Sequence, residues 1–393
     1  MSVETVDIID DFKFVDSIFD EAIMKEGSDI HIEPKNVLYI RYRIDDIRLF
    51  YEIETKGSPE NQSNLLTRIK IMAQLKIDES RIPQDQISYK YKDAKTNKKE
   101  EVDMRVSTFP VLNGEKIVIR LLRKDVKLLN INSLGFLQLN LKLINKALKY
   151  KEGLVLVSGP TGSKTTTLYA MLNSFNPMEH NISTLEDPVE YKMEINQSQV
   201  RSEIYDFSNG LRTLLRQDPD IILVEIRDRE TAKLAIEAAL THLVFGTIHA
   251  NRSVIERLVN MIDAYLIASS LRMILSQRLV KKLCSCGKEI ELDNDQIAIF
   301  RDLGHIRDSV GGNLHYREKV GCDNCLMGYD KRLLHETILF DKDIRKLINV
   351  NIDEKQWQDT IRNKNFLTLY QDGLLKAANG LTDLEQILPY KDV

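Results

Sequence analysis

The stretch "GLVLVSGPTGSKTTTLYAML", Gly153 to Leu172, decides how the rest of the chain is read. Its run "LVLVS" is short and apolar, like a strand buried on both faces, and "TTTLYAML" opens like a helix. Between them lies a Gly-rich turn that ends in Lys164 and Thr165. At a strand-to-helix junction such a turn wraps phosphates in backbone N–H groups while the lysine reaches the outer oxygens. The helix N-terminus faces the phosphates, and the Thr165 hydroxyl is placed to bind Mg²⁺. The full pattern sets four residues between its first glycine and a Gly-Lys pair. Counted from Gly159, the lysine comes one residue early, and Ser163 stands directly before it. On this segment alone a nucleotide site and a plain surface turn both remain open.

Three later segments narrow the choice. "TLEDPVEY" places Glu186, Asp187 and Glu190 after an apolar run, at the strand edge where ligands of such sheets bind. Carboxylates there hold Mg²⁺ or orient an attacking water, although acidic residues at a helix start read the same way. In "RTLLRQDPDIILVEIRD" the run Ile221 to Val224 leads straight into Glu225, a second acid beside the outer phosphate. Arg212 and Arg216 stand four apart, on one helix face, and suit phosphate charge. "HLVFGTIHAN" starts at His242 and reaches His249, which follows the strand and is placed to sense the phosphate; a lone histidine is more often structural.

The bulk composition excludes several classes. With 393 residues, the chain is long enough for two or three domains. The 55 basic and 59 acidic residues leave a net charge of −4, so no general attraction to nucleic acid or anionic lipid follows. The start, "MSVETVDIIDDFKFVD", lacks the basic and apolar regions of a signal peptide, and no apolar run approaches a membrane span. A cytoplasmic chain is expected, with any membrane role running through partners. Its four cysteines fall in two close pairs, Cys284 with Cys286 and Cys322 with Cys325. Such pairs read as a zinc site rather than a disulfide framework, with four free thiols on a loop as the plain alternative.

Along the chain, a helix over Phe12 to Lys25 precedes the alternating runs "DIHIEP" and "VLYIRYRI". A helical stretch, "NLLTRIKIMAQLKI", is followed by "ISYKYKD", "EVDMRVSTFP" and "EKIVIRLL". We read residues 1–125 as a small α/β domain and 126–135 as a linker. Residues 136–393 alternate helices with "LVLVS", "NISTL", "DIILVEI" and "HLVFGTIHA", which predicts a mostly parallel sheet with helices on both faces. Within it, 284–330 is the cysteine loop and 340–393 a polar helical part.

The order of these segments resembles the secretion ATPases that drive type II secretion, type IV pilus assembly and DNA-uptake pseudopili. "SDIHIEP", "RYRID", "RIPQD", "DMRVSTFPVLNGEKIVIRLL" and "QDGLLKAANGLT" are similar to that family's segments too, so the resemblance spans nearly the whole chain. It implies a RecA-like P-loop core after a small PAS-like α/β domain, with ATP, Mg²⁺ and Zn²⁺ as cofactors. By the resemblance, Gly159, Pro160, Thr161, Gly162, Ser163, Lys164, Thr165 and Thr166 form the phosphate loop, with Thr165 on Mg²⁺. Glu186 and Glu190 match the acidic box, Glu225 the catalytic glutamate, and His242 and His249 the histidine box. Arg105, Arg120, Arg212 and Arg216 match arginines that neutralise nucleotide phosphates; on the residues alone, the first two are strand arginines pairing with surface acids. Cys284, Cys286, Cys322 and Cys325 match the zinc loop of the assembly and secretion branch. The implied assembly is a homo-hexamer at the inner face of the cytoplasmic membrane. It acts on a polytopic platform protein and has no direct nucleic-acid partner. The further N-terminal domain of many assembly members is not expected here.

The departures from the family pattern share a feature. One glycine is missing at each of the junctions Ser163–Lys164, Val224–Glu225, Thr241–His242 and Met261–Ile262, while the neighbours are intact. A one-residue loss inside a strand turns every later side chain to the other face, so several real losses should wreck the fold. The gene is therefore expected to carry an extra triplet at these junctions, in a codon that the organism reads as glycine. The chain as it stands is expected to bind ATP poorly, because the loop amides cannot all point inward.

Overall fold

The computed structural model describes residues 4–7, 11–25, 27–35, 38–44, 49–56, 59–75, 84–92, 97, 99–122, 129–159, 163–190, 192–200, 205–248, 254–303, 315–322, 325, 328–330, 334–339, 344, 347–348, 359–360, 363–364 and 366–391. The chain divides into two compact units, Met1–Lys124 and Asp125–Val393.

In the first unit the order is β1 (Glu4–Asp7), α1 (Asp11–Met24), β2 (Gly27–Pro34), β3 (Leu38–Ile44), β4 (Leu49–Lys56), α2 (Pro59–Met72), β5 (Gln84–Lys92), β6 (Lys99–Val111) and β7 (Gly114–Leu122). Val15, Ile18, Phe19 and Ala22 recur at helical spacing on α1, and all four are buried. Ile30 and Ile32 on β2, Ile40 and Tyr42 on β3, and Met104 and Val106 on β6 alternate with more exposed residues and are buried in the same core. The strands form one sheet in the order β1-β4-β3-β2-β7-β6-β5, antiparallel except where β1 joins β4. Neither β1 nor β4 was expected from the sequence pattern. β1 is four residues at an edge, too short to show a period.

The second unit adds α3 (Gln138–Ala147), β8 (Gly153–Ser158), α4 (Lys164–Leu172), β9 (Ile182–Glu186), β10 (Asn196–Gln199), α5 (Phe207–Leu214), β11 (Ile221–Ile226) and α6 (Arg229–Ala238). β12 (Leu243–Ile248), α7 (Val254–Met261), α8 (Ala264–Ser270) and β13 (Leu271–Arg278) complete its central part. Beyond lie β14 (Lys282–Leu283), β15 (Lys288–Glu289), α9 (Asn294–Phe300), β16 (Arg317–Glu318), β17 (Tyr329–Asp330), β18 (Leu334–Leu339), α10 (Leu369–Ala378) and α11 (Leu384–Ile387).

Its main sheet has the order β10-β9-β11-β12-β8-β13-β18, and only the β13–β18 pair is antiparallel. β8 is buried at all six positions, which explains why its sequence is a continuous apolar run. The parallel α/β sheet expected from the alternation is thus present. Strands β13 and β18 extend it beyond the runs read from sequence. In β13 the apolar residues are interrupted by Arg272, Ser276 and Gln277, and that mixture hid the strand.

Side-chain caps fix where the helices begin. Asp206, Asp228, Asp263, Asp293, Thr368 and Asp383 each accept a backbone N–H from the first turn that follows. Each such cap contributes about 1 kcal/mol. Among the described residues no helix is long and apolar enough to cross a membrane.

Candidate functional site

β8, β9, β11 and β12 run parallel, so their carboxyl ends share one edge of the sheet. Gly159 follows β8 there; a Cβ on it would stand 2.7 Å from the Gln277 carbonyl oxygen, so the backbone approach requires glycine. Ser163 directly precedes α4, and Lys164, Thr165 and Thr166 form the helix's first turn. Pro160, Thr161 and Gly162 lie outside the described residues. The Lys164 ammonium is buried and donates to the Gly159 carbonyl at 2.9 Å. Burial lowers its pKa, and the negative charge of Glu225 opposes that shift. Lysine and glutamate therefore sense one another across the edge.

Glu186 ends β9 and is buried. One of its oxygens accepts from Thr184 Oγ1 at 2.5 Å and Gln197 Nε2 at 3.4 Å; the other accepts from the Tyr169 hydroxyl. Burial raises its pKa, and the charge of Glu190 adds to the rise. Glu190 lies in the loop beyond, with its backbone N–H on the Tyr169 hydroxyl at 3.2 Å.

The histidines and arginines are distributed differently. His242 precedes β12, and its carbonyl accepts the Gly153 N–H at the start of β8. It stands at the amino edge of the sheet, one six-residue strand away from the loop, or roughly 20 Å at about 3.3 Å per residue. The structure does not bring it to Lys164, because β12 carries the chain away from it. His249 lies outside the described residues. Arg212 pairs with Glu230 at 2.7 Å on the exposed face of α5 and α6. Arg216 is exposed beside Gln217, whose carbonyl accepts from Asn181 just before β9, again at the amino edge. In the first unit, Arg105 and Arg120 are direct cross-strand partners on β6 and β7, and Arg120 Nε donates to Asp29 at 2.9 Å. Arg120 thus pairs with an acid, but Asp29 is almost fully buried rather than one of the surface acids expected from the residues alone.

The family description "Type II/IV secretion system protein" matches residues 7–389. The chain belongs to this family. It is 41% identical over 389 residues to the type II secretion system protein E of Pseudomonas aeruginosa, covering 96% of this chain and 74% of that one. It is equally 41% identical, over 390 residues, to the type IV pilus assembly ATPase PilB of Myxococcus xanthus, covering 96% of this chain and 67% of the relative. Among solved structures, the pilus retraction motor PilT with bound ADP superposes with a TM-score of 0.61 at 25% identity, over 96% of both chains. The Yersinia pseudotuberculosis ATPase DotB shares the fold, with a TM-score of 0.69 at 18% identity over 99% of this chain and 98% of that one.

Two residues of this family member's site were missed in sequence. Arg227 donates to Glu225 at 2.7 Å and to Asp187 at 3.0 Å, with its guanidinium over the Phe207 ring. The signal existed, since residues two apart at a strand end face the same way. Gln277 on β13 is buried; its side-chain Oε1 accepts from Thr167 Oγ1 at 3.0 Å and its Nε2 donates to the Ser163 backbone carbonyl. It buttresses the loop from the neighbouring strand, which no local pattern announces.

The four cysteines converge despite the short first pair. All four sulfurs lie within 4.8 Å of one another. Cys284 and Cys322 are 4.0 Å apart, Cys286 and Cys325 3.8 Å, and Cys322 and Cys325 3.6 Å. A tetrahedral zinc with bonds of about 2.3 Å demands edges of about 3.8 Å, so the four thiols fit that ion. The Cys286 backbone N–H, first among its neighbours, pulls the Cys284 thiol down to about 7, toward the thiolate that binds metal. Arg317 holds the first turn of the cluster, donating to the Ser285 carbonyl at 2.7 Å and the Gly287 carbonyl at 3.0 Å.

Proposed function

We propose that this chain is a motor ATPase that powers assembly of a type IV pilus, a type II secretion pseudopilus or a competence pseudopilus. It is an ATP hydrolase. Lys164 and the first amides of α4 take the phosphate charge, and Thr165 is the residue that would hold Mg²⁺. Mg²⁺, when bound, neutralises charge on the transferred phosphoryl group. Glu225 orients or activates the water, Glu186 and Glu190 set the acidic side of the site, and His249 senses the outer phosphate. The observation that carries this reading is the placement of Lys164 and Glu225 at the carboxyl ends of β8 and β11, strands of one parallel sheet.

The active form is a homo-hexamer, cytoplasmic and peripheral at the inner face of the cytoplasmic membrane, working on a polytopic platform protein. It has no direct nucleic-acid partner and reaches the membrane only through partners. Arg105 and Arg120 put two cations side by side, and Asp29 already balances the second of them. By the same reading Arg105, Arg120, Arg212 and Arg216 neutralise nucleotide phosphate charge in the assembled ring. Zn²⁺ on the four cysteines is structural.

Phosphate release by the full chain with the missing glycines restored, given Mg²⁺ and ATP, tests the reading. Lys164→Ala should weaken nucleotide binding, and Glu225→Gln should keep binding but abolish turnover. Hydrolysis at the wild-type rate by Glu225→Gln would falsify the catalytic assignment. Turnover per chain should rise with protein concentration as rings form, and a monomer of constant specific activity sinks the hexamer.

Two other readings have their own observations. The likeness to PilT motivates a retraction motor, against which the cysteine cluster favours assembly. The direct Ser163–Lys164 junction motivates a non-hydrolysing ring subunit. An extra triplet in the gene at that junction would dismiss the second; an uninterrupted frame with no phosphate release would establish it.

A further inference from the structure

We propose that Tyr169 is a positioning residue that locks the acidic segment after β9 to the helix behind the phosphate loop. The inference rests on the nucleotide reading above and names a part that reading does not use. Tyr169 lies on α4 and is wholly buried. Its hydroxyl donates to the Glu186 carboxylate and accepts the Glu190 backbone N–H at 3.2 Å. One oxygen atom thus spans both acids, the first through its side chain and the second through its backbone.

The arrangement is specific to a phenol. A buried hydroxyl without partners costs free energy, and this one is satisfied both as donor and as acceptor, which fixes the ring and its orientation. A phenylalanine fills the same ring volume and makes neither bond. The second oxygen of Glu186 is held separately by Thr184 and Gln197, so removing the phenol leaves the carboxylate anchored on one side only.

The position on the helix matters as much as the bonds. Lys164 and Thr165 open α4, and Tyr169 follows five residues after the lysine, about 7.5 Å along the axis. A helix of this length moves as a rigid piece. When its first turn takes a charged ligand, any shift or rotation passes through one hydroxyl to Glu186 and to the Glu190 backbone. The same link keeps two like-charged acids in register with the lysine while the ligand changes. Tyr169 touches no reacting atom, so its effect belongs in turnover rather than in nucleotide affinity.

The test is Tyr169→Phe in the full chain. Hydrogen exchange read by mass spectrometry should show the Glu190 amide exchanging at least about tenfold faster than in wild type, with the amides within α4 unchanged. Turnover should fall about tenfold, as loss of one hydrogen bond to a charged group predicts, with KM for ATP within about twofold. Wild-type exchange at Glu190, or a wild-type kcat, overturns the proposal. So does a fall in kcat accompanied by a raised KM and a lowered melting temperature, which marks general damage. A wild-type chain that releases no phosphate fails the function proposed above instead, and the exchange comparison then decides the Tyr169 link alone.

Discussion

Glu33 in the first unit and Glu186 in the second are both buried carboxylates at strand ends, yet their surroundings are opposite in kind. Glu33 has two cations on one oxygen, Lys116 at 2.6 Å and Arg41 at 2.7 Å. Burial alone would raise its pKa, but the hydrogen bonds and charges of Lys116 and Arg41 outweigh it and hold the carboxyl below its ordinary range. Glu186 has only neutral donors, Tyr169, Thr184 and Gln197, and the nearby charge of Glu190 repels it. Its pKa rises. The first carboxylate is arranged to stabilise the fold, whereas the second sits where its surroundings disfavour the charge. An acid in that condition attracts a cation or a proton, which fits the role proposed for Glu186 above.

Four measurements can break or sharpen that contrast. The largest effect is expected at a third buried acid, Asp372, whose partner Lys376 is equally enclosed and lies 2.6 Å away on α10. Asn140 of α3 donates to the same carboxylate at 3.0 Å. Asp372→Asn leaves a buried ammonium without its carboxylate and should destabilise the second unit by about 3–5 kcal/mol in urea denaturation. A loss below about 1 kcal/mol would show that burial there is less complete than the structure has it.

Glu33→Gln comes next, at about 1–3 kcal/mol lost from the first unit at pH 7. The sign with pH follows from the lowered pKa. Its stabilisation is present above the unfolded carboxyl value of about 4.3 and vanishes as the pH falls through the lower folded value. The variant should therefore lose less stability than wild type between pH 5 and 3. Parallel pH curves for the two proteins would remove Glu33 from the argument.

Glu186→Gln should move the other way. A raised carboxyl pKa opposes folding above that pKa and is relieved as pH falls through it. Removing the charge should thus stabilise the second unit at pH 7 by up to about 1 kcal/mol while slowing ATP hydrolysis. Destabilisation with hydrolysis intact would erase the distinction between the two acids. The smallest effect is reserved for the exposed pair Lys233 and Glu237 on α6, 3.8 Å apart, where Lys233→Ala should change stability by no more than about 0.5 kcal/mol.

The sequence was legible where one local rule decides the structure. The strand β8 and the start of α4 follow from a buried apolar run and the lysine and threonines after it. The continuous runs of β11 and β12 likewise forecast the parallel sheet. The cysteine pairs forecast a cluster, and it formed even though Cys284 and Cys286 are closer in sequence than the usual ligand spacing. Other parts depend on partners far along the chain. Gln277 reads as one polar residue in a mixed strand until β13 lies beside β8. Tyr169 reads as helix core until Glu186 arrives from β9. The position of His242 needed the strand direction: only parallel pairing reveals that it begins the strand at the edge away from Lys164.

The strand order has a consequence for how this molecule is made. β8, which carries the phosphate loop, pairs on one side with β12 and on the other with β13. Those partners lie about 90 and about 120 residues further along, so the centre of the sheet is built from contacts of long sequence separation, which form slowly. During synthesis β8 waits with both edges open until Ile248 has left the ribosome and with one open until Arg278, at about 5–20 residues per second an exposure of several seconds to tens of seconds. A strand destined for burial at all six positions is thus left unpartnered for that time. This unit should depend on chaperones far more than the first, whose β2, β3 and β4 pair with near neighbours as they emerge.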